Sequence, residues 1–292
     1  MERAGESMGH KTFTRGDRRP CPLPRVLRAR GWRLYTEGGK RLADMWQYGG
    51  RALLGHCPPQ LLRVFKNTAE RGLFAPLPHP AEGRFYGALS ALLPGRRFRL
   101  YPSEAARKDA LAAAGFSAAV FDPAVEAGEG APKTVPVLWR PWLTDPAILN
   151  PPGPGAPSLL IPVLPLPFPG APAVLALDPA LEELFSPAPL LSPLVLSAAA
   201  QSVRRLLAAP ERPSFAGLDR ILTGDSPWKR RGIYLRYRPP DAQEDYQRVF
   251  MRFLEGGFFL PPLEEEPAII PGELSAGEEA KLAALISAAV RV

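Results

Sequence analysis

Chemistry-bearing residues are scarce in this chain: two cysteines, three histidines and seven lysines among 292 residues. Cys21 and Cys57 cannot make a disulfide framework, and their spacing is not that of a zinc site. His10, His56 and His79 lie too far apart in sequence to form a ligand set, so no metal is expected. There is no Walker loop, no G-x-G-x-x-G after a strand, no G-x-S-x-G and no H-E-x-x-H. Internal repeats are also missing. Residues 1–20 are polar and charged and hold no apolar stretch that could serve as a signal peptide. With so few cysteines, a reducing, cytoplasmic setting is the expectation.

What the chain has in excess is arginine and proline. The net charge of +7 rests on 29 arginines. They are scattered singly and in short pairs rather than gathered with aromatics into a stripe, so no nucleic-acid partner is expected. Proline occurs 37 times, over twice the ordinary ~5%. Seventeen of these fall between Pro132 and Pro193. Within that stretch, Pro146 to Leu177 has no charged residue, a length that could suggest a membrane span. Its ten prolines and three glycines exclude a continuous spanning helix and point to short buried extended segments joined by turns. No helix longer than about three turns and no complete seven-stranded parallel sheet is expected there.

At ~100–200 residues per domain, the length suits one large or two modest domains. Trp32–Tyr35 and Arg41–Met45 flank Glu37-Gly38-Gly39 as a hairpin. Helices are expected over Gln60–Arg71, ended by Gly72, and over Ala81–Leu93, ended by Pro94-Gly95. Phe98–Tyr101 reads as a strand, followed by a helix to Ala114 with Ser103 at its N-cap position. Short apolar strands are expected at Ala118–Phe121, Val135–Trp139, Ser158–Val163 and Ala173–Leu177. Asp178-Pro179 opens a short helix and Leu194–Ala208 forms a longer one. Near the C-terminus, Gly232–Arg238 alternates as a strand. Asp241 with Glu244 and Ser275 with Glu278 are capping boxes for helices to Leu254 and Val290, with strands at Phe258–Leu260 and Ala268–Ile270 between them. These helices are expected on one face of a small sheet.

Several segments, in order, resemble the class III aminotransferases of the pyridoxal-phosphate fold type I superfamily, most of all the glutamate-1-semialdehyde aminomutases. GWRLYTEGGKRLADMWQYGGRALLGHCPP (Gly31–Pro59) is similar to that family's opening hairpin and its G-H-x-x-P turn. GLFAPLPHPAE (Gly72–Glu82) resembles the segment that follows it. FRLYPSEAARKDAL (Phe98–Leu111) resembles the strand, turn and helix that hold the cofactor phosphate, and YQRVFMRFLEGGFFLPP (Tyr246–Pro262) resembles the small C-terminal domain. The resemblance implies an α/β fold, a reduced fold type I architecture with a small C-terminal α/β domain and a shrunken, proline-rich central domain. The corresponding regions are 1–100 (N-terminal hairpin and helices), 101–211 (remnant of the cofactor domain) and 212–292 (C-terminal domain). The C-terminal sheet would recruit the hairpin around Glu37-Gly38-Gly39.

By the same resemblance the cofactor is pyridoxal phosphate, the activity amino transfer, and the partner a second copy or a full-length aminotransferase. The one cofactor-binding candidate is Ser103, in Tyr101-Pro102-Ser103-Glu104-Ala105, where the family carries Ser-Gly-Ser/Thr-Glu-Ala. Proline removes one backbone donor that a phosphate would use. Ser103 therefore has two roles open to it, helix cap and phosphate ligand. The family's central stretch supplies a Schiff-base lysine and an aspartate for the pyridine nitrogen, and no segment here resembles it. Lys108 falls in the helix after the phosphate turn, and Lys133 lies in EAGEGAPKTVP, a polar loop. Asp122 and Asp145, each before proline, suit turn starts. No catalytic residue is assigned. His56 suits a structural role at its turn, Trp46 and Tyr48 suit packing or a cleft entrance, and Arg15 or Arg33 could meet a carboxylate. Three readings stand: a catalytically degenerate aminotransferase relative, a non-catalytic binding or scaffold partner of a full-length aminotransferase, and an enzyme with new chemistry in the remodelled centre.

Overall fold

The computed structural model describes residues 21, 23–117, 119–126, 135–143, 157–187, 189–210, 216–222, 226–238 and 246–288. In chain order the strands begin with β1 (Val26–Arg30), β2 (Arg33–Thr36), β3 (Arg41–Asp44) and β4 (Arg97–Tyr101). Next come β5 (Val137–Trp139), β6 (Leu159–Pro162) and β7 (Ala173–Leu177). Then follow β8 (Trp228–Arg231), β9 (Tyr234–Tyr237), β10 (Phe258–Phe259) and β11 (Ala268–Ile269). The helices of ten residues or more are α1 (Pro59–Ala69), α2 (Ala81–Leu92), α3 (Glu104–Ala113), α4 (Pro193–Leu207), α5 (Tyr246–Glu255) and α6 (Ala276–Ala288).

The central sheet has the order β4-β7-β6-β5, with β7 antiparallel to both its neighbours and β6 parallel to β5. Side chains of successive strand residues leave on opposite faces, and here both faces are apolar. On one face Phe98, Leu100, Leu160, Val174 and Ala176 meet Phe85, Leu89, Ala198 and Ala199 of α2 and α4. On the other, Tyr101, Leu159, Ile161, Ala173, Leu175 and Leu177 meet Leu111 of α3 and Phe185. A strand buried on both faces cannot alternate polar and apolar residues, which is why AVLAL of β7 is apolar throughout. The charge-free stretch from Pro157 to Leu177 is thus buried strand and turn. Among the described residues no helix is long and apolar enough to cross a membrane.

A second core joins the two ends of the chain. Strand β10 pairs parallel with β3, extending the sheet β1-β2-β3-β10. Leu34, Leu42 and Met45 then pack with Phe250, Phe253, Phe258, Leu282 and Ile286. Arg33 reinforces this join. Its guanidinium meets the Glu278 carboxylate at 2.6 Å, and that carboxylate also closes the capping box of α6 by accepting from the Ser275 amide at 2.9 Å.

Several sequence expectations change in detail. The C-terminal layer contains two sheets rather than one, because β11-β9-β8 forms a sheet of its own. Trp228–Arg231 was not expected as a strand; its charged KRR end hides the pattern, and pairing with β9 imposes it. The expected strand at Ala118–Phe121 reduces to a single bridge from Phe121 to Val137. The capping residues Asp241 and Glu244 lie outside the described residues, as do Asp145 and Lys133. Between Pro132 and Pro193 the described residues contain one six-residue 3-10 helix, Pro179–Leu184, started by Asp178, whose side chain accepts from the Ala180 amide.

The turn between β8 and β9 approaches the segment after β5 so closely that only glycine fits. Gly232 has φ +56°, and a Cβ there would lie 2.1 Å from the Trp142 carbonyl oxygen. Gly38, in the β2–β3 turn, has open space around it. Gly232→Ala is therefore expected to lower unfolding free energy by about 2–5 kcal/mol, combining the left-handed penalty with overpacking. Gly38→Ala should stay within about 0.5 kcal/mol of wild type in the same urea titration.

Candidate functional site

The site begins at a carboxylate. Asp44, at the end of β3, is almost wholly buried. One of its oxygens accepts from the Trp46 and Gln47 amides at 3.0 and 2.8 Å, and the other lies 2.7 Å from His56 Nε2. These bonds hold a sharp turn in which Gln47, Tyr48, Gly49 and Gly50 all have positive φ. The two that are not glycine, Gln47 and Tyr48, would strain without compensation elsewhere, and the buried carboxylate supplies it. At Gly50, φ is +100° and a Cβ would stand 2.8 Å from Val163 Cγ1, so the turn lies against the chain just after β6. The turn delivers Trp46, Tyr48 and Arg51 to one wall of a cleft.

The second wall comes from α3. Ser103 caps this helix, its hydroxyl accepting from the Ala106 amide at 3.1 Å. Glu104, one residue on, lies 2.6 Å from Arg51 Nη2 and is ion-paired with Arg107. Burial pulls the Arg107 pKa below its ordinary value despite that partner, and its Nε makes no hydrogen bond.

The floor is formed by the residue that follows β5. Arg140 is buried and bidentate with Asp122, Nε to Oδ1 at 2.9 Å and Nη2 to Oδ2 at 2.6 Å. The Arg140 guanidinium sits 5.3 Å from the centre of the Tyr234 ring, and Tyr234 in turn donates to the Pro141 carbonyl at 2.8 Å. Burial opposes its charge, but Asp122, with Tyr234 and Glu266 behind it, outweighs that and keeps it protonated. Its third nitrogen, Nη1, is buried and makes no hydrogen bond.

Glu266 closes the far side. It accepts from Trp46 Nε1 at 2.5 Å. The bond from the Ile269 amide to the Met45 carbonyl, 2.7 Å, fixes the two chain segments side by side. Burial raises the Glu266 pKa, while the Trp46 bond and the charge of Arg140 act against that rise. The cleft measures about 340 Å³, with Leu138, Val163, Leu164 and Leu166 among its apolar lining.

A pyridoxal cofactor needs an amine for its aldehyde and a carboxylate for its ring nitrogen. Among the described residues, none that lines this cavity is a lysine. Lys108, on α3, is exposed. The lining cations are Arg51, Arg107 and Arg140, and a guanidinium stays protonated and cannot act as that amine. Both lining carboxylates are engaged, Glu104 by two arginines and Glu266 by Trp46. Among the described residues, the cleft does not fit that chemistry. No group of three or more potential metal ligands occurs among them either.

The residues singled out from sequence separate clearly. Trp46 and Tyr48 line the cleft, while His56 supports it from behind through Asp44. Ser103 is exposed and lies outside the lining. Arg33 is committed to Glu278, and Arg15 and Lys11 lie outside the described residues. Asp122 does start a turn, accepting from the Ala124 amide at 3.0 Å, and it also anchors Arg140. Arg51, Arg107, Arg140 and Glu266 went unrecognised. One signal was available: Arg140 stands between Trp139 and Trp142 in an otherwise apolar run, where an unpaired charge would be costly.

No known family model matches the chain. A protein of Treponema pallidum described only as uncharacterized is 29% identical over 293 residues, spanning 85% of this chain and 89% of its own. An uncharacterized protein of Borreliella burgdorferi is 43% identical over 63 residues, 22% of this chain and 23% of its own. Among solved structures, the ornithine δ-aminotransferase of Plasmodium falciparum superposes with a TM-score of 0.64 at 11% identity, covering 97% of this chain and 95% of that one. An ω-transaminase from Sphaerobacter thermophilus gives 0.60 at 14%, with 92% and 91% covered. A glutamate-1-semialdehyde aminomutase from Pseudomonas aeruginosa gives 0.62 at 13%, with 91% and 87% covered. At such identities the likeness is one of fold, and the fold is the α/β architecture of fold type I expected from the sequence.

The raised Glu266 pKa has a measurable consequence. A carboxyl that holds its proton more tightly when folded favours the folded state at low pH, and that contribution is lost as pH climbs from the ordinary value of 4.5 through the folded one. Glu266→Gln should therefore match wild type in thermal midpoint below pH 4.5 and exceed it increasingly above, levelling off once Glu266 is ionised in both states. A constant offset across the range would contradict the assignment.

Proposed function

We propose that this chain is a catalytically degenerate relative of the class III aminotransferases, which keeps their fold and uses the cleft for non-covalent binding. The observation that carries this reading is the lining of the cavity, which among the described residues holds three arginines and no lysine. In this reading Ser103 serves as the cap of α3, not as a phosphate ligand; Pro102 removes a neighbouring donor, and Ser103 lies outside the cavity lining. In this reading the chain acts in the cytoplasm and works through a partner, a second copy or a full-length aminotransferase. Exposed apolar side chains at Leu62, Phe74 and Leu77 support such an association.

The second reading is amino transfer on pyridoxal phosphate, the activity of the family it resembles, with Lys133 as the remaining candidate amine. Adding pyridoxal phosphate and reducing with borohydride separates the two. The proposal expects scattered, sub-stoichiometric labelling of exposed lysines such as Lys40 and Lys66. A one-to-one adduct on a single lysine, Lys133 above all, would overturn it.

A further inference from the structure

We infer that the cleft is an anion-binding site, built on Arg140 with Arg51 and Arg107, for a small organic ligand carrying a carboxylate or phosphate group on an apolar body. Buried polar groups in folded proteins nearly always have hydrogen-bond partners, and an exception calls for a reason. Here two exceptions, Arg140 Nη1 and Arg107 Nε, belong to residues that line one cavity. Both belong to side chains at least nine-tenths buried, at 6% and 8% exposure. A guanidinium whose remaining donors face no protein acceptor is suited to the paired oxygens of a carboxylate or phosphate.

The arginines are also held ready. Asp122 fixes Arg140 through two bonds, and Glu104 bridges Arg51 and Arg107. A ligand would meet charges already ordered, so less rotamer entropy is lost on binding. The rest of the lining sets the second half of the ligand. Leu138, Val163, Leu164 and Leu166 give an apolar wall, and Trp46 offers an indole beside it. A volume of about 340 Å³ lies at the small end of the range for ligand sites, ~300–1,000 Å³. Glu266, the one lining carboxylate without an arginine directly on it, tunes the site by repelling the anion. This inference extends the proposed non-covalent role and rests on that reading of a cavity whose described lining holds no lysine.

Benzoate and phenyl phosphate test it, because each carries one anionic group on a ring and neither has an aldehyde to react with a lysine. Binding to the intact chain at pH 8 would be followed by calorimetry and by tryptophan fluorescence. Binding of phenyl phosphate alone assigns the site to phosphate esters, and of benzoate alone to carboxylates. Arg51→Gln should weaken binding roughly 3- to 10-fold. The paired variant Asp122→Asn/Arg140→Gln, which removes both charges together, should weaken it about 10-fold or more. Glu266→Gln should tighten it about 3-fold or more. If the paired variant does not fold, the opposite shifts of Arg51→Gln and Glu266→Gln still decide. Absence of binding by both probes, or equal affinity across folded variants, would overturn the inference. An adduct on a lysine in the borohydride experiment would overturn the non-covalent reading without touching these affinities.

Discussion

A guanidinium buried in the middle of a fold must have a carboxylate beside it, and the Arg140–Asp122 pair meets that need. Desolvating either ion alone costs several kcal/mol, so neither residue can be lost singly without leaving the other stranded. The pair ties the chain after β5 to the turn at residues 122–125, and Tyr234 and Gly232 press on the same segment from the β8–β9 sheet. Three stretches far apart in sequence thus meet at one side chain. The desolvation cost of such a pair can exceed its Coulombic gain, so it need not add net stability, which makes a functional reason for keeping this one more pressing.

Around that pair the cleft arises from how the ends of the chain are joined. Pairing of β10 with β3 brings the residues before β11 alongside the turn after β3, so Glu266 meets Trp46. The turn itself is possible because Asp44 satisfies its amides from inside. The central sheet, covered on both faces, supplies the apolar floor. In the solved aminotransferases the same overall arrangement recurs with TM-scores of 0.60–0.64. Shared fold does not carry shared chemistry, because chemistry depends on the side chains in the cleft.

Much of the fold could be read from the sequence because its signals are local. The β2–β3 hairpin announces itself through Glu37-Gly38-Gly39, α6 through Ser275 and Glu278, and β7 through an unbroken apolar run. Strand β8 could not be read, since a strand written WKRR exists only through its partner. The site was harder still. Arg51, Glu104, Arg107, Arg140 and Glu266 are ordinary surface residue types, and only long-range packing buries them together. Twenty-nine arginines look alike in a sequence; the structure distinguishes Arg107 and Arg140 by their burial and their unpartnered nitrogens. Sequence could exclude a familiar catalytic motif, and its one pointer to the central charge is an arginine set between Trp139 and Trp142.

The most direct measurement is a crystal structure of the protein grown with phenyl phosphate. The account predicts ligand density in the cleft bounded by Trp46, Glu266 and α3, with an anionic oxygen within about 3 Å of Arg140 Nη1. An empty cleft with the ligand bound elsewhere, or Nη1 turned onto a protein carbonyl, would contradict it.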